Sequence, residues 1–267
     1  MHESRYPRAN PWTRFATPNP GVTLRLFCFP YAGAGASVYR RWRARLPTWI
    51  HLCPIQLPGR EERIREAPFT NMDALCAALL PALAPYLDMP VALFGHSMGA
   101  LIAYQMATRL RDQGGNPTHL LVSGQRAPHL PLGREPSYYL PEAAFMERIR
   151  SLNGTPEIVL QNPELMDLIR PLLRADFELS ECTPRERRDQ LDCSVTAFGG
   201  LDDNEVRRFH LDAWRETTTG DFELHMFPGD HFYIAANEAH LIMMLAKRLV
   251  AYVPSTRILQ MRRNPPF

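Results

Sequence analysis

The sequence predicts an α/β fold, a mostly parallel central sheet flanked by helices on both faces. Short apolar runs alternate along the chain with segments of helical periodicity. In addition, 267 residues with 45% apolar and 22% charged side chains suffice for one large domain with a sizeable core. We expect this domain to span residues 21–253, after a polar lead-in at residues 1–20 and before a basic tail at residues 254–267, which we expect to be disordered.

The predicted elements can be placed in order along the chain. Strands are predicted at Leu24–Phe29, Ile50–Leu57, Val91–Phe94, His119–Ser123, Ser194–Phe198 and Phe222–Phe227. Helices are predicted at Ser37–Leu46, Asn71–Leu87, Met98–Arg111, Val206–Trp214 and Phe232–Ala251. In such folds ligands bind outside the carboxyl ends of the strands, so chemistry is expected in the residues that follow each strand.

A long segment without strand-like runs separates the fourth predicted strand from the fifth. It contains helical patterns at Pro141–Leu152 and Pro163–Phe177. A structureless connection of this length would be unusual in a compact domain. We therefore expect residues 128–190 to form a helical lid above the sheet edge, inserted into a core made of residues 21–127 and 191–253.

Charge and cysteine content narrow the class of protein. The formal net charge of +2 gives no support for nucleic-acid binding. Five cysteines without regular spacing make a poor disulfide framework. No apolar run has the length of a membrane span, and the N-terminus lacks the apolar core of a signal peptide. We expect a cytoplasmic monomer that binds neither nucleic acid nor membrane.

A Gly-x-Ser-x-Gly pattern, Gly95-His-Ser-Met-Gly99, directly follows the third predicted strand. At a strand-to-helix turn this pattern projects the serine hydroxyl above the sheet. The N-terminus of the helix that begins at Met98 directs its amides and its positive dipole end toward a developing anion. The alternative is a Gly-rich turn with a serine helix cap. We favour Ser97 as a catalytic nucleophile.

A serine nucleophile needs a base and a group that orients the base. On this architecture the partners follow in the order serine, acid, histidine. His231 lies in a turn-rich loop after the last predicted strand and suits the base. Asp202 and Asp203 both follow the fifth strand, and the residue pattern leaves open which one faces the histidine. Asp230 adjoins His231 in sequence, which does not give the approach to the imidazole that an acid needs.

Two further features concern the surroundings of the serine. His96 adjoins it in sequence, but we expect its side chain to point away and pack against the turn. The oxyanion hole needs two backbone amides, one from Met98 and one from the loop after the first strand, Phe29–Gly35. This loop lacks the Gly-x-Gly-x-x-Gly spacing and the lysine of nucleotide-binding loops, which argues against a phosphate site.

Two arginines follow the second predicted strand, Arg60 and Arg63. They could contact an anion. They could equally form structural ion pairs with Glu61, Glu62 or Glu66.

Five segments in order resemble the type II (external, editing) thioesterases of polyketide and nonribosomal peptide pathways, which belong to the α/β-hydrolase superfamily. They are Phe29-Pro-Tyr-Ala-Gly33, Gln56-Leu-Pro-Gly-Arg-Glu-Glu-Arg63, Gly95-His-Ser-Met-Gly-Ala100, Gly199-Gly-Leu-Asp-Asp-Asn-Glu-Val206 and Pro228-Gly-Asp-His-Phe-Tyr233. Late in the insert, Arg174-Ala-Asp-Phe-Glu-Leu-Ser-Glu181 resembles the family's lid region. The resemblance runs from about Leu24 to Val250. It implies Asp203 as the acid and the amide of Ala32 as the second oxyanion donor.

The resemblance also implies an activity. It is the hydrolysis of acyl thioesters on the phosphopantetheine arm of an acyl or peptidyl carrier protein, by Ser97, His231 and Asp203, with no metal and no soluble cofactor. Its role would be to remove aberrant or stalled acyl groups from a synthase. The alternatives are a small-molecule carboxylesterase or lipase, which would use the same triad, and a non-catalytic binding protein of this fold.

Overall fold

The computed structural model describes residues 10–13, 21–186 and 188–253. The predicted tail at residues 254–267 lies outside the described residues, as does the predicted lead-in apart from residues 10–13. That short segment contacts the domain: the Asn10 side chain donates to Ala82 O at 2.8 Å, and Trp12 O accepts from Gln56 N at 2.9 Å.

One six-stranded sheet forms the centre of the protein. Its strands are β1 Leu24–Phe29, β2 Ile50–Pro54, β3 Val91–His96, β4 His119–Ser123, β5 Ser194–Gly200 and β6 Phe222–Phe227. They lie in the order β2-β1-β3-β4-β5-β6, and every neighbouring pair is parallel. The fold class predicted from the sequence is confirmed.

The strand order determines where a site can form. The chain moves from β1 outward to β2, and then returns to the other side of β1 to place β3. In open parallel sheets, a crevice forms at the carboxyl ends of the two strands where the order reverses. The loop after β1 and the turn after β3 therefore meet at one edge of the sheet.

Helices cover both faces of the sheet. The α-helices are α1 Met72–Leu83, α2 Met98–Asp112, α3 Glu142–Leu152, α4 Glu157–Leu160, α5 Pro163–Glu181, α6 Arg208–Asp212, α7 Tyr233–Ala236 and α8 Glu238–Leu249. One apolar core joins α1, α2 and Trp214 to one face of the sheet. The other core joins α8 and a 3-10 helix at Ala36–Ala44 to the opposite face.

The insert between β4 and β5 contains α3, α4 and α5. Its helices have an apolar cluster of their own, which includes Phe145, Ile149, Leu160, Met166, Leu173 and Phe177. The side chain of Asn162 caps α5 by accepting from Leu165 N at 3.1 Å. The insert is therefore a small packed unit, as a lid requires. Within the described residues, no helix is both long enough and apolar enough to cross a bilayer.

Several element boundaries differ from those predicted. The predicted strand Ile50–Leu57 ends at Pro54, and the amide of Gln56 bonds to Trp12 O instead of continuing the sheet. The predicted final helix is divided at Asn237, whose side chain donates to Pro228 O at 2.9 Å and to Tyr233 O at 2.8 Å.

Three other helical segments are tighter or shorter than predicted. The segment predicted as a helix over Ser37–Leu46 is the 3-10 helix already described. The first α-helix ends at Leu83 and continues as a 3-10 turn, and α6 is only five residues long before a second 3-10 turn follows. The helix α4 was not predicted, because four residues are too few for a periodic pattern.

Candidate active site

Ser97 occupies a strained turn between β3 and α2. Its φ of 52° lies in the left-handed region, which non-glycine residues rarely adopt. The turn is possible because of its glycines: a Cβ on Gly95 would lie 2.0 Å from Gly99 O, and one on Gly99 would lie 2.1 Å from Phe29 O. Ser97 N donates to Ser123 O at 2.8 Å, which ties the turn to the end of β4. The hydroxyl is thereby presented at the sheet edge.

The imidazole of His231 lies between the serine and a carboxylate. Its Nε2 is 3.1 Å from Ser97 Oγ, and its Nδ1 is 2.8 Å from Asp203 Oδ2. The other oxygen of Asp203 accepts from the amides of Glu205 and Val206 at 2.8 and 3.0 Å. His231 and Asp203 are 7% and 4% exposed. The structure thus brings the three predicted residues into one hydrogen-bonded chain with the geometry of a Ser-His-Asp triad.

The two competing carboxylates lie elsewhere. Asp202 is exposed and accepts from Gly229 N at 3.3 Å. Asp230 accepts from Phe232 N and from the Asn153 side chain, each at 2.9 Å. Of the two adjacent aspartates that the residue pattern left open, Asp203 is the one that contacts the imidazole.

His96 packs beside the triad without joining it. Its Nδ1 lies 2.9 Å from Ser123 Oγ, which in turn lies 2.6 Å from the Tyr233 hydroxyl. The ring packs against the turn at Gly124, as expected, and also lies 5.1 Å from the His231 ring. Burial, together with the nearby His231, lowers the pKa of His96 well below its usual value. A neutral ring therefore supports His231 on one side.

The two predicted oxyanion donors lie at the same cleft. Met98 is the first residue of α2, so its amide has no acceptor within the helix. Ala32 lines the cleft together with Ser97 and Met98. Its loop turns sharply at Gly33, whose φ is +76°.

A buried ion pair fastens this loop to the lid. Arg60 donates to both carboxylate oxygens of Asp176 in α5, each at 2.8 Å. Asp176 also accepts from Gly33 N at 2.7 Å, and Arg60 donates to Ala34 O at 3.1 Å. The two charged side chains are 4% and 1% exposed. The lid helix therefore holds the backbone on either side of Gly33.

Of the two alternatives left open for Arg60 and Arg63, the second holds, because both arginines form structural ion pairs. Arg63 pairs with Glu66 at 2.5 Å, as one of the predicted ion pairs. For Arg60 all three predicted partners were wrong, because its carboxylate partner is the distant Asp176. Nothing in the chain near Arg60 indicated a partner on the lid.

The cleft above the triad has about 870 Å³ of empty space, part of it open to solvent. The lid supplies apolar walls, including Ile149, Leu173 and Phe177, and the floor contains Ser97 and His231. Among the described residues, no cluster of histidine, cysteine, aspartate and glutamate has a geometry suited to a metal ion. The arrangement suits an acyl group held next to a nucleophile.

Comparison with known proteins decides the family. The model of the thioesterase domain family matches residues 24–249. The chain belongs to the thioesterase family. The thioesterase is 42% identical over 243 residues to the gramicidin S biosynthesis protein GrsT of Aneurinibacillus migulanus, covering 91% of this chain and 95% of that protein.

Solved structures of relatives share the fold of this thioesterase. RedJ, a thioesterase from the prodiginine pathway of Streptomyces coelicolor, is 40% identical, with a TM-score of 0.79 and 90% of each chain covered. BorB, the type II thioesterase of the borrelidin cluster, is 34% identical, with a TM-score of 0.82, and the match covers 91% of this chain and 99% of BorB. The fold is that of the α/β-hydrolases, and the enzyme is a thioester hydrolase.

Proposed function

We propose that this thioesterase hydrolyses acyl groups from the phosphopantetheine arm of acyl or peptidyl carrier proteins. It thereby removes aberrant or stalled acyl groups from a polyketide or nonribosomal peptide synthase. The hydrogen-bonded chain from Ser97 through His231 to Asp203, on the floor of a cleft roofed by the lid, carries the proposal. The likeness to GrsT and BorB supports the pathway class.

In the acylation step, Ser97 Oγ attacks the thioester carbonyl carbon while His231 Nε2 takes the hydroxyl proton. Asp203 accepts the hydrogen bond of Nδ1–H, which fixes the tautomer and stabilises the imidazolium. The amides of Ala32 and Met98 stabilise the charge on the tetrahedral oxyanion. The C–S bond then breaks, and the imidazolium gives its proton to the leaving thiolate.

In the deacylation step, His231 removes a proton from water, and the resulting hydroxide attacks the acyl-serine. The second tetrahedral oxyanion lies in the same hole. Its collapse breaks the bond to Ser97 Oγ, which recovers its proton from His231. The products are the free acid and the carrier thiol. Neither step needs a metal or a soluble cofactor.

The proposal includes a setting for the enzyme. We propose that it works as a monomer in the cytoplasm, with the carrier protein as its macromolecular partner. All five cysteines are free thiols, which fits a reducing compartment. Light scattering after gel filtration tests the monomer, and a mass of twice 30.5 kDa would contradict it.

Hydrolysis rates on two substrates test the activity. The first is a butyryl group on the phosphopantetheine arm of a carrier protein, and the second is the p-nitrophenyl ester of the same acid. We expect kcat/KM to be much higher on the carrier-bound thioester, and Ser97→Ala to abolish turnover on it. A strong preference for the oxygen ester would contradict the proposal.

A further inference from the structure

The lid contacts the loop that contains the acid of the triad. This acid loop, residues 201–207, follows β5 and consists of turns and bends. Leu201, Asp202 and Asn204 in it are exposed. Exposed loops with few buried contacts open locally at a low cost in free energy. The position of Asp203 therefore depends on how the rest of the loop is held.

The side chain of Glu205 links the acid loop to the lid. It receives two hydrogen bonds of 2.5 Å each from the guanidinium of Arg148 in α3. Burial tends to raise the pKa of Glu205, but the bonds and charge of Arg148 bring it below its usual value. A second arginine, Arg134, is 3.8 Å from Glu205 and binds Glu181 at 2.8 Å instead. The pair with Arg148 is bidentate, and such pairs fix orientation as well as distance.

A continuous series of hydrogen bonds joins this pair to the nucleophile. The amides of Glu205 and Val206 donate to Asp203 Oδ1 at 2.8 and 3.0 Å. Asp203 Oδ2 lies 2.8 Å from His231 Nδ1, and His231 Nε2 lies 3.1 Å from Ser97 Oγ. A shift of the Glu205 backbone would therefore move the carboxylate that orients the imidazole.

The same lid helix ends against the histidine loop. Asn153, the residue that caps α3, donates from its side chain to Asp230 Oδ2 at 2.9 Å. Gly154 packs so closely on Phe232 that a Cβ there would lie 2.2 Å from the ring. Asp230 and Phe232 are the two chain neighbours of His231. The helix α3 thus contacts the loops of both the acid and the base.

We propose that α3 positions the triad, and that Arg148 is a positioning residue that holds Asp203 in place through Glu205. The triad is then aligned when α3 lies against the acid loop. This inference rests on the triad of the proposed function, but not on the carrier-bound substrate.

Two substitutions that change the local charge in opposite directions test the inference. Arg148→Met removes a positive charge, Glu205→Gln removes a negative one, and each breaks the bidentate pair. A misplacement of about 1 Å can cost about 100-fold in rate, so we expect each variant to lower kcat on a butyryl-loaded carrier protein about 10- to 100-fold, with little change in KM. An effect of charge alone on His231 would instead change kcat in opposite directions.

Three further variants complete this test. Residues that act through one contact are not additive, so the double variant should be no slower than the slower single variant. Arg148→Lys keeps the charge but loses the planar fork, and should keep part of the activity. The matched control is Arg170→Met, because Arg170 pairs with Glu142 and Asp167, both within the lid. It should keep a kcat near that of the wild type, and thermal melts establish that each variant is folded.

A second readout needs neither a carrier protein nor a thioester. An alkyl fluorophosphonate phosphonylates an activated serine and releases fluoride, and Ser97→Ala gives the background rate. We expect the rate constant for phosphonylation of Ser97 to fall in Arg148→Met and Glu205→Gln by about the same factor as kcat, because the same His231 and Asp203 activate the serine.

Several results would overturn the inference. They are a wild-type kcat in Arg148→Met, opposite changes in the two single variants, and a double variant slowed by the product of the two single effects. Slower hydrolysis of the carrier-bound thioester with an unchanged phosphonylation rate would also overturn it, because Arg148 would then act on substrate binding. If the wild type is phosphonylated at Ser97 but hydrolyses no thioester, the proposed function fails, and the phosphonylation rates alone decide the inference.

Discussion

The buried pair between Arg60 and Asp176 predicts a coupled effect on stability and rate. Replacing Asp176 with asparagine keeps the shape but removes the charge. Asp176 Oδ2 accepts from both Gly33 N and Arg60, and Oδ1 accepts a second bond from Arg60, whereas the amide keeps only one acceptor oxygen and turns an NH2 group toward an Arg60 or Gly33 donor. The guanidinium of Arg60 then stays buried without a counter-charge, and the anchor that the lid provides for the loop containing Ala32 is weakened.

The magnitude follows from the burial. Breaking a buried ion pair by removing one partner costs about 3–5 kcal/mol. Because asparagine keeps one acceptor oxygen, we expect Asp176→Asn to lower the free energy of unfolding by about 3 kcal/mol. Loss of one oxyanion donor costs about 100- to 1,000-fold in kcat. Since the donor is displaced rather than deleted here, we expect kcat to fall about 10- to 100-fold.

Urea unfolding and steady-state hydrolysis of a carrier-bound thioester measure the two effects. The matched control is Asp167→Asn, on the same helix, where the carboxylate pairs with Arg170 but is 73% exposed. Exposed pairs contribute about 0–1 kcal/mol, so this variant should resemble the wild type in stability and in kcat.

A double variant separates positioning from stability. Replacing both partners with apolar residues, Arg60→Met with Asp176→Leu, removes the uncompensated charge and should restore most of the stability. It cannot restore the acceptor for Gly33 N, so kcat should stay low. Recovery of kcat together with stability would refute the positioning role, and wild-type behaviour of Asp176→Asn would refute the coupling altogether.

Three further predictions concern the core and the turn. Burial lowers the pKa of His119 from 6.5 to about 4 in the folded protein. As the pH falls below 6.5, His119 therefore takes up its proton in the unfolded chain before it does in the folded protein. The free energy of unfolding should fall by at most about 3 kcal/mol between pH 6.5 and 4. Urea unfolding of His119→Gln should show a smaller decline over this pH range, and an equal decline would contradict the prediction. Gly99→Ala places a Cβ 2.1 Å from a backbone oxygen and should lower the free energy of unfolding by about 3 kcal/mol. The control Gly114→Ala should cost about 1–2 kcal/mol, because the added Cβ has open space and only the positive φ is unfavourable. Equal melting temperatures of the two variants would contradict this prediction. Tyr233→Phe removes the bond to Ser123 and should cost about 1 kcal/mol by chemical denaturation, while no loss would show that the bond contributes nothing.

The fold could be predicted from the sequence because its main features are local. Apolar runs such as Leu24–Phe29 and His119–Ser123 matched the observed strands at both ends. The pattern around Ser97 could be recognised because its two glycines are sterically required. At each of them, a backbone oxygen of another residue occupies the space that a Cβ would need. Chain order on this architecture then placed His231 after the last strand.

Features that depend on contacts between residues distant in sequence could not be predicted. Arg60 and Asp176 are 116 positions apart, and no local pattern joins them. The break at Asn237 depends on a bond to Pro228 O, which a helical periodicity does not reveal.

The central claim is that Ser97 carries the acyl group during turnover. Mass spectrometry of the acyl-enzyme tests this most directly. The enzyme is mixed with a butyryl-loaded carrier protein, quenched in acid within the first turnover and digested into peptides. We expect a butyryl adduct on the peptide containing Ser97, more of it in His231→Gln if deacylation slows more than acylation, and none in Ser97→Ala. Hydrolysis at the wild-type rate by Ser97→Ala, or an adduct on another residue, would contradict the claim.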